Sequence, residues 1–110
     1  MHLIVLVIAS DVNEAQRIAN TLLERRLAAC VNIVPGVQSL FWWEGRVDGA
    51  EEALMLVKSR IDLLEELMET VKKLHSYQVP EIVAVTIHGG SKDYLKWLDS
   101  TLRMERASKG

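Results

Sequence analysis

AACVNIVPGVQSLFWWEGRVDGAEEALMLVKS, residues 28–59, is the stretch that decides how this chain folds. Its apolar residues follow no helical spacing. Ala28–Val34 is a β-branched run that ends at Pro35-Gly36, a turn dipeptide. Val37–Gly45 is extended in character again, and the Asp48-Gly49 pair beyond it reads as a hairpin turn between apolar runs. Glu51–Ser59 then alternates, with Ala53, Met55 and Val57 on one face and Leu54, Leu56 and Lys58 on the other. Two consecutive strands with no helix between them therefore stand at the centre of the chain.

The flanks are strand and helix in turn. His2–Ala9 is an apolar run of the kind expected of a central strand covered on both faces. Asp11 followed by Glu14 resembles a capping box, and Ala15, Ile18, Ala19, Leu22 and Leu23 form one helical face that runs to about Arg26. After the hairpin, Asp62 opens a second helix. Leu63, Leu64, Leu67, Val71 and Leu74 lie on its buried side, and Glu65, Glu66, Glu69, Lys72 and Lys73 on its solvated side. Val79-Pro80 imposes extended backbone, Glu81–His88 is a fourth strand, and Gly89-Gly90 ends it. A last helix runs from about Ser91 to Met104, followed by a polar tail. The order β-α-β-β-α-β predicts an α+β, ferredoxin-like sandwich with an extra C-terminal helix, formed by residues 1–110 as a single domain.

Composition narrows the function. With 49% apolar and 25% charged residues the chain has the make-up of an ordinary globular domain, and its net charge of −2 does not favour nucleic acid or anionic lipid. The strands also lack the aromatic and basic pattern of RNA-binding sheets. The N-terminal apolar run is about eight residues long, short of a membrane span and without the basic start of a signal peptide. The expected compartment is the cytoplasm. One cysteine, Cys30, allows no intrachain disulfide and no CxxC site. Nucleophile-elbow, P-loop and dinucleotide motifs are absent, and the loop after the first strand is acidic where an acylphosphatase needs an arginine, so catalysis is not expected.

Four features carry possible chemistry. Leu40, Phe41, Trp42 and Trp43 lie in succession on what should be an edge strand, where adjacent residues face opposite ways. One small domain does not readily cover them all, so a partner subunit is expected. Cys30, inside an apolar strand, reads as an inert small hydrophobe or as a soft metal ligand. Lys58 ends one strand and Glu81 begins another, and the two are expected to converge on one rim of the sheet, as an ion pair or as part of a polar site. In HSYQVPE, residues 75–81, His75 reads as a helix-end residue or a metal ligand, while Tyr77 and Glu81 offer polar groups.

Several segments taken together resemble the CutA family of divalent-cation tolerance proteins: AACVNIVPGVQSLFWWEGRV, EEALMLVKSR and LHSYQVPEIVAVTIHGGSKDYLKWL. The resemblance runs in order over almost the whole chain. It implies a homotrimer of ferredoxin-like subunits, similar to trimeric PII-type signalling proteins, with ligand clefts between subunits. It also implies tolerance to copper and other divalent ions, no required cofactor, and no catalytic role. Carried over residue by residue, it marks Lys58, Tyr77, Glu81 and Trp43 for a small ligand, and Cys30 and His75 for copper or another divalent metal ion. Ser76 stands where the family usually has Pro, and Phe41 where it usually has Tyr, which removes a hydroxyl. The second function expected of such a chain is a structural trimeric assembly module serving a protein partner.

Overall fold

The computed structural model describes residues 1–104; the polar tail, 105–110, lies outside the described residues. The elements are β1 (His2–Ala9), α1 (Val12–Glu24), β2 (Cys30–Trp43), β3 (Arg46–Arg60), α2 (Leu64–Leu74), β4 (Ile82–Thr86) and α3 (Lys92–Thr101). A 3-10 turn, Ile61–Leu63, leads into α2. The four strands form one antiparallel sheet in the order β2-β3-β1-β4, the ferredoxin-like arrangement, with β2 at an edge as expected.

The core follows from strand alternation. Leu3, Val5, Val7 and Ala9 of β1 point to one face, where their register partners are Ser59, Val57, Met55 and Ala53 of β3. All eight are buried under Ala15, Ile18 and Leu22 of α1 and Leu67 and Val71 of α2. Ser59 keeps this layer intact because its Oγ donates to the Leu27 carbonyl at 2.7 Å, which satisfies a hydroxyl that would otherwise be costly to bury. α3 adds Leu98 and Leu102 to the same cluster.

The second face of the sheet departs from expectation. β1 is central, yet Ile4, Leu6 and Ile8 are only partly covered, and Val34, Val83 and Val85 on the same face are exposed. α1 and α2 both pack on the other side, so the chain covers one face of β1 and not two. In α2, Leu74 is also exposed rather than buried.

The hairpin differs more. β2 does not stop at Pro35-Gly36, because a β-bulge between Val34 and Val37 absorbs the pair and the strand continues to Trp43. Proline has no amide to give a ladder and Gly36 takes φ +67°, so a bulge is where both residues fit. The reversal falls at Glu44-Gly45, with φ +49° and +82°, which a two-residue I′ turn requires; Asp48-Gly49 lies inside β3. β1 ends at Ala9, opposite Ala53, so the pairs from Val37–Glu52 to Trp43–Arg46 leave the sheet as a free two-stranded arm. The arm stretches the chain to 49 × 31 × 24 Å. Leu40, Trp42 and Trp43 on it are 80%, 75% and 60% exposed.

Candidate functional site: an acidic cleft at the base of the arm

The bulge, the start of α1 and the base of the arm enclose a cleft of ≈ 330 Å³. Ser10–Asn13, Pro35, Gly36, Glu51 and Glu52 line it. Asp11 caps α1, its Oδ1 accepting the Glu14 amide at 2.8 Å. Glu52 is nearly buried and accepts the Tyr77 hydroxyl at 2.6 Å. That hydrogen bond to a carboxylate, with burial and the negative charges of Glu52, Glu14 and Asp11, pushes the Tyr77 pKa up to about 12.

Behind the cleft lies a buried carboxylate. Glu14 is 2% exposed, and burial alone would raise its pKa. Hydrogen bonds prevail and hold it down at about 2. Its Oε1 accepts the Ser10 amide and the Ser10 hydroxyl, both at 2.9 Å, and its Oε2 accepts the Ser76 amide at 2.8 Å. Glu14 thereby ties the first turn of α1 to the connection that follows α2. His75 opens that connection with a side chain sealed from solvent. Its Nδ1 accepts the Tyr77 amide at 3.0 Å, which leaves the proton on Nε2 to donate to the Ile8 carbonyl at 2.7 Å.

The structure divides the residues singled out from the sequence. Tyr77, Glu81 and His75 lie together, since the Glu81 carbonyl accepts the Ile8 amide at 3.3 Å and Ile8 also holds His75. Lys58 is elsewhere. It pairs with Ile4 and Cys30, four positions along β1 from Ile8, a distance of about 13 Å at strand rise. The expectation that Lys58 and Glu81 share a rim fails for a topological reason. β3 and β4 both run antiparallel to β1, so they are parallel to each other, and the end of one and the start of the other fall on opposite rims. Trp43 is farther still, at the tip of the arm.

Cys30 and His75 are likewise not brought together, and each already has partners. Lys58 donates to Asn32 and sits 3.8 Å from the Cys30 sulfur. An ammonium there repels a metal cation. Tyr94 of α3 is the fourth member of this group: burial and the neighbouring Cys30 raise its pKa. Both ring nitrogens of His75 are committed to the backbone. Among the described residues, no group of three or more His, Cys, Asp and Glu could hold a metal ion. His2 is paired with Asp99 at 3.0 Å. Sequence reasoning missed Glu14 and Glu52 as members of a site. Asp11-x-x-Glu14 was visible as a helix start, but nothing local shows that its carboxylate reaches residue 76.

Comparison with known proteins agrees with the fold and with the order of motifs. Residues 3–101 match the family model "CutA1 divalent ion tolerance protein". The chain is 46% identical over 102 residues to a divalent-cation tolerance protein CutA of Archaeoglobus fulgidus, covering 93% of this chain and 99% of that one. It is 44% identical over 101 residues to a chloroplastic CutA 1 of Oryza sativa, where 92% of this chain spans 57% of the longer relative. Among solved structures, a divalent cation tolerance protein of Thermus thermophilus superposes with a TM-score of 0.91 at 46% identity, over 94% of this chain and 100% of that one. The A. fulgidus protein, described as periplasmic, also gives 0.91. A match along nearly the whole length in both sequence and structure shows that the chain belongs to the CutA1 divalent ion tolerance family.

Proposed function

We propose that the chain acts in tolerance to divalent cations as a cytoplasmic homotrimer of PII-like architecture, binding copper or another divalent ion, or a small ligand, at clefts between subunits. The observation that carries this reading is the free arm standing beside the acidic cleft. Leu40, Trp42 and Trp43 are exposed on an unpaired edge, and Asp11, Glu51 and Glu52 collect negative charge at the arm's base. An edge of this kind pairs with another chain unless it is blunted, and a neighbour seated against it closes the cleft from the open side. The carboxylates then favour a cation or a cationic group, while Tyr77 and Glu81 wall the same end of the sheet. Cys30 is the soft-ligand candidate at the other end, open to a metal ion if Lys58 swings away. His75 serves the wall and is not offered as a ligand.

Light scattering combined with calorimetric titration tests this reading. A trimer mass with saturable uptake of copper(II) or a small polar ligand supports it. A trimer inert to both types of ligand leaves the assembly module as the function, and a monomer overturns both. No helix among the described residues is long and apolar enough to cross a membrane. Fractionation of cells expressing the full-length protein tests the cytoplasmic assignment.

A further inference from the structure

We propose that Arg46, at the tip of the arm, completes the acidic cleft of a neighbouring copy of the chain, where its guanidinium pairs with the buried carboxylate of Glu52. The inference rests on the reading that copies assemble through the arm, and it names the group that crosses between them.

Glu52 is the half of the pair that lacks a partner. It is 8% exposed and lines the cleft, yet only its Oε2 is engaged, by the Tyr77 hydroxyl at 2.6 Å. Among the described residues its Oε1 accepts no hydrogen bond and meets no cation. A carboxylate taken out of water needs donors or an opposite charge on both oxygens, and an unfilled oxygen is costly. The cleft supplies no such charge. None of its lining residues is a lysine, an arginine or a histidine, and Asp11 and Glu51 make it more negative. The Ser10 hydroxyl is already given to Glu14.

Arg46 is the complement. It is the single basic residue from Val37 to Glu52, it is exposed, and among the described residues it forms no ion pair. Its own cleft is out of reach, because six positions of β3 separate Arg46 from Glu52, about 20 Å at strand rise. The arm holds Arg46 away from the sheet, where a neighbour can receive it. A guanidinium also suits this cleft better than a bare metal ion. Its planar fork carries five donors, enough for the Glu52 Oε1 and for a second carboxylate at the rim. A metal needs more ligands, and no group of three or more His, Cys, Asp and Glu among the described residues could hold one. Trp43 is the register partner of Arg46, so the same seat takes an exposed indole out of water. In a ring of three the contact is head to tail: each chain gives one Arg46 and receives one, and every cleft is filled.

Cross-linking through introduced cysteines tests the contact in the full-length protein. Cys30→Ser removes the native thiol, and Asn13→Cys and Arg46→Cys are then added singly and together, both at exposed positions. Asn13 lines the cleft, so within one chain it lies beyond the span of a short bismaleimide from residue 46. The double variant should give species of two and three joined chains on a denaturing gel, and each single variant one chain only. Light scattering on the parent separates the two ways of failing. A trimeric parent whose double variant yields single chains overturns this inference and leaves the assembly standing. Cross-linking by Arg46→Cys alone overturns it too, since tips would then meet tips. A monomeric parent sinks the assembly reading and this contact with it. Urea unfolding at one fixed protein concentration gives a second measure that needs no cysteine. The losses in midpoint from Arg46→Ala and Glu52→Gln should not add, the double variant losing clearly less than their sum. Additive losses overturn the pairing.

Discussion

Replacing Glu14 by Gln should be among the most damaging single polar changes in the chain, and its cost should depend on pH. The parent carboxyl titrates at about 2, against 4.5 when unconstrained. A gap of that size is worth about 3 kcal/mol of folding stability. The sign follows from the direction of the shift. A depressed pKa means that the unfolded chain takes up the proton first, so the contribution is complete above about pH 5 and is lost as the pH falls toward 2. Glutamine has one acceptor oxygen for three donors, and its amide would meet an N–H of Ser10 or Ser76 head on. Urea unfolding of parent and variant at one fixed protein concentration, at pH 7 and at steps down to pH 2.5, measures the effect. The two curves should differ by about 3 kcal/mol at neutral pH and converge in acid. Asp62 and Asp99 also have lowered pKa values, but both proteins retain them and they cancel in the difference. A difference that stays constant with pH would refute the reasoning, because the loss would then come from packing and not from the charge.

Three further outcomes follow. Trp43 is largely exposed in the single chain, so Trp43→Ala should cost little within one chain; in a trimer that covers it the loss should approach 3 kcal/mol per chain, read as a lower midpoint and a shift toward monomer in light scattering. An unchanged midpoint would put the interface elsewhere. An ultraviolet titration should show a tyrosine step near pH 12, well above the usual 10, and Tyr77→Phe should abolish it. The raised pKa means that this bond supports folding below about pH 10 and fails as the pH passes 12, so the variant should lose about 1 kcal/mol at neutral pH. In a copper competition titration, Cys30→Ser should weaken binding, while His75→Ala should lower stability and leave affinity unchanged, because both of its ring nitrogens serve the backbone. Equal affinity in all three proteins would leave the carboxylates of the cleft as the binding groups.

Most of the architecture was legible because helix and strand periods are local. Asp11 and Glu14 mark the start of α1, the alternation from Ala53 to Val57 marks β3, and Ser91, directly after Gly89-Gly90, caps α3. The largest misread boundaries concern glycine, while β4 is shorter than Glu81–His88, running from Ile82 to Thr86, and α3 stops at Thr101, short of Met104. Pro35-Gly36 and Asp48-Gly49 carry turn chemistry, yet one forms a bulge and the other lies within a strand, while the reversal uses Glu44-Gly45. A dipeptide specifies a backbone conformation, but only the pairing partner decides whether that conformation ends a strand or bends it.

For the site the division is sharper. By itself the sequence determined the order of elements, the exposed aromatic edge, and the residues able to carry chemistry, since each depends on side chains close together along the chain. Only the tertiary structure decided which of them meet. The shared antiparallel pairing of β3 and β4 with β1 sends Lys58 and Glu81 to opposite rims, and the same pairing carries Cys30 away from His75. It also brings Glu14 to Ser76, sixty-two positions later, and Tyr77 to Glu52. Such contacts depend on strand direction and register between distant segments, and no local period encodes either.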